Sequence, residues 1–514
     1  MAETTDTLRQ NYNKLMEKAK ELAVLRSIIG LAEWDRETKM PPKAFSLRSE
    51  QLGMLSQLEH KISVDPEIGK LIEEIRRHPK HDSLNVTEKR NVHLMKKNYD
   101  EMTKLPEELV VEIAKQITIA IGTWQKAKAA KQFSMFKPDL EKLVELKKKA
   151  AEILMDVKGT ATSYDALIDY FEPATSSETI TKVFDELRPR LVSIVKKSVG
   201  APKQPDESFL WRKVPIDVQQ KISNSLAKIV GYDIASPNAG GRIDETEHPF
   251  TQGYYDDVRI TTHYFEDNFA SSLFSILHEA GHAMYDQNLR SDWMYQPVGQ
   301  GCSYGFHESQ SRFVENIFGR SREFWSYYFP QLKTLTGNVL SDVSLDNFVH
   351  AINLVKPSKI RVEADEVTYC LHVIIRFNIE RDLFAGKISV ADLPEVWNEK
   401  YMEYLDVKIE NDSEGVLQDI HWASGYFGYF PSYALGNVYG GQILAMLQRE
   451  MPSWKEQMAK GNFLPIRQWL TKNVHSYGSL YDPPDLIKKI AGEEISVKPY
   501  LDYLNEKYSK LYEY

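Results

Sequence analysis

The 514-residue chain has few of the features that mark several large classes of protein. It has only two cysteines, Cys302 and Cys370, which suit a reducing compartment better than a disulfide framework. No apolar run approaches the ~18 residues that predict a membrane-spanning helix. The N-terminal stretch has no basic segment followed by an apolar core, so we expect no signal peptide. Together these absences favour a cytoplasmic protein.

Positive charge is also scarce. The chain has 64 Lys and Arg residues against 73 Asp and Glu residues, and its formal net charge is −9. Nucleic acids and anionic membranes attract proteins with clustered basic residues. We therefore expect neither a nucleic acid nor a membrane as a partner. With 42% hydrophobic residues and no internal repeat, the composition is typical of a globular protein.

Most of the sequence has the periodicity of amphipathic helices. Apolar residues recur at helical spacing near the N-terminus, as at Leu22, Leu25, Ile28 and Ile29. The pattern dominates residues 1–155 and returns from Phe269 to the C-terminus. Prolines at Pro41-Pro42 and Pro79 should divide the first region into several helices.

The pattern changes between residues 231 and 268. Glycines and prolines cluster in the first part of this stretch, which predicts a turn-rich connection. Residues 257–263 then alternate between polar and apolar in the manner of a short strand. We therefore predict a mainly α fold, with long helices and one small β-sheet beside the helix that follows.

That helix carries the strongest local motif of the chain, His278-Glu279-Ala280-Gly281-His282. Helical residues four apart lie on one face, so both histidines can point at one zinc ion. Glu279 is then placed to take a proton from a metal-bound water as the water attacks a peptide carbonyl. Two helical histidines with ordinary polar partners are the alternative. Gly281 weakens a helix by about 1 kcal/mol relative to alanine, which predicts close approach of another backbone or of substrate.

A hydrolytic zinc site usually has three protein ligands. His307 and Glu308 lie at the start of a second predicted helix, after a loop that contains Pro297 and Gly301. Glu308 is the favoured third ligand, because a carboxylate completes the known arrangement of two histidines and one glutamate. Glu315, two turns further on, is the rival candidate.

A peptidase that removes C-terminal residues also needs hydrogen-bond donors for the carbonyl oxygen and a cation for the free carboxylate. Residues 415–433 are rich in histidine and tyrosine donors, although an aromatic core turn would have the same composition. Arginine binds carboxylates bidentately, and the candidates are Arg361 and Arg259. Ordinary ion pairs are the alternative for both.

The sequence resembles the carboxypeptidase Taq family of zinc carboxypeptidases. The resemblance rests on separated motifs in one order: His248-Pro-Phe250, Asp257-x-Arg259-x-Thr261, the HEAGH pentapeptide, His307-Glu-Ser-Gln-Ser311, Ile360-Arg-x-x-Ala-Asp365 and Gly415-x-x-Gln-Asp-x-His-Trp422. The segments Glu33-Trp-Asp-x-x-Thr-x-Met-Pro41 and Tyr164-Asp-Ala-Leu167 are also similar to family segments. The similarity spans most of the chain, the set is highly specific, and no motif position departs from it.

The resemblance implies a large helical metallopeptidase with a deep substrate groove, similar to neurolysin-like and angiotensin-converting peptidases. It implies one zinc ion, replaceable by cobalt, and a homodimer. The implied roles are metal binding, catalysis and substrate binding; the residues are His278, His282 and Glu308 for the metal, Glu279 as general base, and Arg361, Arg259 and His248 for substrate. Comparison with the wider helical metallopeptidases adds His421 and Tyr433 as catalytic donors to the substrate carbonyl.

The resulting hypothesis is a zinc-dependent metallocarboxypeptidase that removes C-terminal amino acids from peptides with broad specificity. We expect residues 1–514 to form a single catalytic unit. Within it, residues 1–240 would form one groove wall or a lid, and residues 241–514 the zinc-binding half. One alternative is an oligopeptidase that cuts internal bonds with the same chemistry. The other is a catalytically silent helical scaffold that binds zinc.

Overall fold

Twenty α-helices and a three-stranded sheet form the part of the chain that a computed structural model describes, residues 2–514, with side chains described from Thr7 onward. Nine helices precede the sheet: α1 Ala2–Thr38, α2 Phe45–Ser63, α3 Pro66–Arg77, α4 Val86–Lys104, α5 Glu107–Ala130, α6 Lys137–Lys158, α7 Ser163–Phe171, α8 Ser177–Val199 and α9 Ile216–Val230. The predicted helical region and its breaks near Pro41 and Pro79 are confirmed.

Local sequence explains several of these helix ends. Pro66 is the first residue of α3, where its missing N–H is harmless, and the side chain of Asp65 caps that helix. At α4, Asn85 and Glu88 form a reciprocal capping box, which satisfies two backbone donors. The side chain of Thr162 caps α7 in the same region of the chain.

The sheet lies between the two helical regions. Its strands are β1 Gly241–Glu245, β2 Thr251–Tyr254 and β3 Asp257–Thr262. Their order is β1-β3-β2, with β1 parallel and β2 antiparallel to β3. The predicted strand at residues 257–263 is confirmed as β3. The stretch predicted as a turn-rich connection, residues 231–250, contains β1, and β2 follows it directly. Both strands form because pairing with β3 outweighs their poor local pattern.

Eleven helices follow the sheet: α10 Phe269–Gln287, α11 Tyr304–Arg312, α12 Arg322–Thr336, α13 Leu345–Ala351, α14 Tyr369–Phe384, α15 Leu393–Leu405, α16 Phe430–Glu450, α17 Trp454–Ala459, α18 Leu464–Asn473, α19 Pro483–Ala491 and α20 Lys498–Tyr512. Strands β2 and β3 pack against α10, and α11 packs against both α10 and α16. The predicted mainly α fold with a small sheet beside the motif helix is confirmed. No helix in residues 2–514 is long and apolar enough to cross a membrane.

The buried apolar residues form two large cores. Helices α1, α3 and α4 share a separate core with members such as Leu15, Leu71 and Val92. Helices α5 to α9 contribute to the same core as α10 to α20. The cores therefore divide the chain near residue 105, whereas the predicted groove wall extends to residue 240. That functional division stays a prediction.

Helix α1 is tied to the sheet at its C-terminal end. The indole of Trp34 is stacked by the guanidinium groups of Arg242 and Arg259, which lie 4.8 and 4.5 Å from its ring centre. Lys39 adds an ion pair to the buried carboxylate of Asp244, at 3.0 Å. The N-terminal core is thus joined to the sheet that flanks α10.

Candidate metal centre

The motif histidines lie on one face of α10, and another face of the helix packs into the protein core. Its apolar face is buried in the main core through residues that include Leu273, Ile276, Leu277 and Met284. The side chains of His278 and His282 remain 20% and 17% exposed. Glu279 is buried, at 6% exposure. The helix is therefore fixed by the core while both imidazoles stay accessible.

Two glycines allow the helices of the site to approach closely. A Cβ at Gly281 would lie 2.6 Å from the carbonyl oxygen of Gln310 and the Cα of Ser311, both on α11. A Cβ at Gly436 on α16 would lie 2.8 Å from the Cβ of Glu308. The sequence prediction of a close backbone approach at Gly281 is confirmed. Helix α11 is held between the other two helices at the turn that carries Glu308.

We expect Gly281→Ala to destabilise the protein by about 1–3 kcal/mol, because the new methyl group would meet backbone atoms that cannot rotate away. Pushing α11 away should also separate Glu308 from the two histidines and weaken metal binding. Thermal unfolding of the metal-free and metal-loaded forms measures both effects. Gly122, where a Cβ would meet nothing within 4 Å, provides the matched control. Equal behaviour of the two alanine variants would contradict the prediction.

The structure brings His278, His282 and Glu308 together. Oε2 of Glu308 lies 3.7 Å from Nε2 of His278 and 3.5 Å from Nε2 of His282. One ligand atom from each residue lies within 4.8 Å of the others. Two ligands bound at ~2.0–2.1 Å in tetrahedral geometry are separated by about 3.4 Å. The spacing and the mixed nitrogen and oxygen donor set therefore fit a single zinc-sized ion.

Glu315, the rival third ligand, faces the opposite side of the first imidazole. Its Oε2 lies 2.9 Å from Nδ1 of His278, and it also pairs with Arg312 at 3.1 Å. A π-helical turn, Phe313–Phe318, continues α11 and carries this residue. Glu315 thus holds the ring of His278 so that Nε2 points towards Glu308, as outer carboxylates commonly do at metal sites.

His307, the other residue weighed as a ligand, supports His282. Its Nδ1 lies 2.7 Å from Nδ1 of His282, and its Nε2 lies 2.9 Å from Oδ1 of Asp286. The carboxylate of Asp286 can only accept, so the Nε2 of His307 donates to it. In neutral His307, Nδ1 then accepts from His282. This chain of hydrogen bonds leaves Nε2 of His282 free of a proton and able to bind a metal.

The charge of Glu308 is maintained in a buried position. Its Oε1 accepts a hydrogen bond from Nε of Arg312 at 2.7 Å, and the hydroxyl of Ser311 lies 3.1 Å from Oε2. Burial opposes ionisation, but the guanidinium of Arg312 and the neighbouring His278 outweigh it and hold the pKa of Glu308 well below its usual value. The carboxylate is therefore ionised in the protein.

Glu279 is held on the side of the sheet. The hydroxyl of Thr251, at the start of β2, lies 2.6 Å from Oε2 of Glu279. In the described part of the chain, no protein donor bonds the other carboxylate oxygen, Oε1. The residue predicted from the sequence as general base thus lies beside His278, with one carboxylate oxygen hydrogen-bonded and the other available.

His421 and Tyr433 lie together near Glu308. Nε2 of His421 is 3.3 Å from the hydroxyl of Tyr433. Tyr433 precedes Gly436 by three residues on α16, and Gly436 contacts Glu308, so the tyrosine lies on the face of α16 turned to Glu308. Burial and the nearby Arg361 lower the pKa of His421 to about 3, and burial raises the pKa of Tyr433. At neutral pH the imidazole is uncharged and the phenol is protonated.

Arg361 is buried beside the same pair. Its guanidinium lies 5.0 Å from the ring centre of Tyr433. Nε and Nη2 donate to Oδ1 of Asp419, at 3.1 and 2.8 Å, and Nη1 donates to Tyr369 at 3.2 Å. A guanidinium has five N–H donors, so two remain for a further acceptor. Asp419 also binds Arg376, at 2.6 Å, and thus bridges two buried arginines.

The other two predicted substrate-binding residues lie farther out. Arg259 on β3 pairs with Asp257 at 2.7 Å and stacks on Trp34. His248 is exposed on the loop between β1 and β2. Among the residues that the structure describes, neither makes a hydrogen bond, ion pair or ring contact with His278, His282 or Glu308, and their roles stay predictions.

Several residues of the site were not found from the sequence. Asp286 follows His282 by four residues, so helical periodicity would have placed it on the same face. Arg312 follows Glu308 by four residues on α11, so the same periodicity would have placed it beside Glu308. Asp419 is part of the motif at residues 415–422, but its arginine partners come from other segments. Thr251 and Arg376 reach the site through contacts between distant segments, and their local sequence carries no signal for them.

Comparison with known proteins gives a consistent result. The family model described as carboxypeptidase Taq (M32) metallopeptidase matches residues 14–508. "Carboxypeptidase 1" of Bacillus subtilis is 40% identical over 494 residues, which are 96% of this chain and 97% of that protein. "Thermostable carboxypeptidase 1" of Thermus thermophilus is 38% identical, with 98% and 99% covered. The crystal structure of the M32 carboxypeptidase from Deinococcus radiodurans R1 aligns with a TM-score of 0.94 at 34% identity, covering 98% and 100%.

Proposed function

Because the chain belongs to the carboxypeptidase Taq (M32) family and is therefore a metallocarboxypeptidase, we propose that its reaction uses one zinc ion held by His278, His282 and Glu308. The observation that carries this proposal is the convergence of two imidazole nitrogens and one ionised carboxylate within 4.8 Å of one another. Cobalt has similar ligand preferences and is expected to substitute. When bound, the ion supplies Lewis acidity, which acidifies water and polarises a carbonyl oxygen.

Glu279 is the general base of this proposal. It is next to the proposed ligand His278 in sequence, and its carboxylate lies 2.6 Å from the hydroxyl of Thr251. A carboxylate in this position takes a proton from the attacking water and returns it to the leaving amine. His278 and His282 flank Glu279, so the proposed metal ligands and the proposed base lie on neighbouring positions of α10. Glu279 therefore moves the proton and leaves metal binding to its neighbours.

Tyr433 and His421 are the proposed donors to the substrate carbonyl. Tyr433 remains protonated at neutral pH because burial raises its pKa, so its hydroxyl can donate. His421 lies within 3.3 Å of that hydroxyl and is neutral. Fixed donors of this kind stabilise negative charge as it develops on the carbonyl oxygen. Their location beside Glu308 supports this assignment.

Arg361 is the proposed anchor for the substrate's free carboxylate. Asp419 and Tyr369 fix its orientation, and two N–H groups remain for the substrate. Arg361 lies next to Tyr433, so a carboxylate bound by the arginine would lie close to a carbonyl bound by the tyrosine. This geometry favours removal of single C-terminal residues over internal cleavage. We retain the broad specificity, the homodimer and the cytoplasmic location as proposals that rest on the sequence and the family resemblance.

We also propose that the helices of residues 1–240 form one wall of the substrate groove, against the catalytic half at residues 241–514. Trp34 of α1 stacks on Arg259, which pairs across the sheet with Gln252 of β2. The preceding residue of β2, Thr251, contacts Glu279. The N-terminal core is thus connected to the general base through the sheet, which supports its place at the groove.

One peptide in two forms tests the proposed activity. The zinc-loaded protein is incubated with the free acid and with the C-terminal amide, and products are followed by mass spectrometry. We expect the free acid to shorten residue by residue while the amide stays intact, because only the free acid offers a carboxylate to Arg361. Chelation should stop the reaction, and zinc or cobalt should restore it. Internal cleavage of both forms at similar rates would favour the oligopeptidase alternative.

A further inference from the structure

The shortest contact between the sheet and the motif helix is made by Thr251. Its Oγ1 lies 2.6 Å from Oε2 of Glu279 and 3.1 Å from the backbone oxygen of the same residue. A hydroxyl has one proton to donate. At these distances the carboxylate is the acceptor, because hydrogen bonds to ionised oxygens are shorter and stronger than those to neutral carbonyls.

The position of Thr251 is fixed by its neighbours. Thr261 on β3 is fully buried, and its hydroxyl accepts from the backbone N–H of Phe250 at 2.8 Å. That hydroxyl also lies 3.1 Å from the carbonyl oxygen of Phe250, which accepts from the backbone N–H of Thr261 at 2.9 Å. Phe250 directly precedes Thr251, so the chain enters β2 in a fixed orientation. The β2–β3 register then pairs Thr251 with Ile260.

A glutamate has three rotatable side-chain bonds, and losing this freedom costs free energy on ordering. Glu279 can serve as a general base only when one carboxylate oxygen lies within hydrogen-bond reach of the water proton. A donor on Oε2 selects one side-chain orientation and leaves Oε1 for the proton transfer. Small errors in such positioning have large effects on rate.

We infer that Thr251 is a positioning residue for the general base: its hydroxyl holds the Glu279 carboxylate in the orientation that accepts the proton. This inference rests on the proposed role of Glu279. A purely structural role is the competing explanation, in which Thr251 only joins the sheet to α10. The two explanations predict different kinetics, because a structural tie should affect folding and metal binding as well as turnover.

The test compares Thr251→Val, which removes the hydroxyl at nearly constant volume, with Thr251→Ser, which retains it. We expect Thr251→Val to lower kcat about 10- to 100-fold, as for loss of a hydrogen bond to a charged group. KM, zinc per chain and the unfolding temperature should stay near the wild-type values. Thr251→Ser should restore kcat to within about threefold of wild type. Thr251→Ala provides a second variant without the hydroxyl if the valine variant does not fold.

Wild-type kcat in a folded variant without the hydroxyl would overturn the inference, as would equal losses in the valine and serine variants. A fall in bound zinc or in unfolding temperature that matches the loss of activity would also overturn it, in favour of the structural explanation.

A double-mutant comparison separates this inference from the proposed function. If Thr251 acts through Glu279, adding Thr251→Val to Glu279→Gln should change the residual rate by less than about twofold. A further loss as large as in the wild-type background would overturn the inference and leave the role of Glu279 intact. Full activity of Glu279→Gln alone would instead overturn the proposed function.

Discussion

Replacing Glu279 with glutamine is expected to lower kcat by about 10²- to 10⁴-fold, the usual contribution of general acid–base catalysis. The amide has nearly the same shape as the carboxylate and can still accept the hydrogen bond of Thr251 through its oxygen, but it cannot take a proton. Glu279 is not one of the three converging ligands, so zinc should remain bound. Turnover of a free-acid peptide, measured at saturating concentration, gives the effect on kcat.

Zinc content and thermal unfolding are the controls for this variant. Both should match the wild-type protein, since the amide keeps the shape of the side chain and none of the three converging residues changes. A loss of zinc in parallel with activity would mean that Glu279 supports the metal site instead of moving a proton. Wild-type kcat with zinc bound would contradict the mechanism directly.

The sequence predicted best those parts of the molecule that depend on local periodicity. The spacing of His278 and His282 places them on one face of a helix whatever surrounds it, and the structure has them there. The alternation at residues 257–263 likewise matches β3. Gly281 could be interpreted in advance because a glycine inside a helix is unfavourable unless something passes close to it.

Other residues of the site are brought together by contacts between segments that are distant in the sequence. Thr251 and Glu279 are brought together by the packing of β2 on α10, and nothing in either segment predicts the partner. The bridge from Asp419 to Arg361 and Arg376 joins residues of three separate segments. Strands β1 and β2 also depend on contacts between segments, since each is short and is stabilised by pairing with β3 rather than by its own residues. Contacts of this kind can be identified only when the fold is known.

The division of the N-terminal half shows the same limit of local pattern. Helices α1, α3 and α4 bury their apolar residues against one another, whereas helices α5 to α9 bury theirs in the core that they share with the catalytic half. A helical pattern indicates that one face of the helix is buried, but it does not indicate which segment packs against that face. The boundary of the predicted groove wall or lid is therefore set by packing between helices.

Arg361→Met is expected to lower kcat/KM for a free-acid peptide by about 10²- to 10³-fold, as for loss of a charge-assisted, bidentate carboxylate contact. The effect should appear mainly in peptides with a free C-terminus, so the difference in rate between acid and amide forms should largely disappear. Methionine fills most of the volume of the arginine stem without its charge. The measurement is kcat/KM for both peptide forms.

The matched control is Arg376→Met, because Arg361 and Arg376 both bind Asp419 in a buried position. Burial disfavours the charge of Asp419, but the two guanidinium groups outweigh it and hold its pKa well below the ordinary value. Removing either arginine should therefore destabilise the protein to a similar degree. Arg376 has no exposed side-chain surface and cannot reach a substrate, so its variant should keep the preference for the free acid. If both variants lost that preference equally, the carboxylate would be bound elsewhere and Arg361 would serve only to hold Asp419.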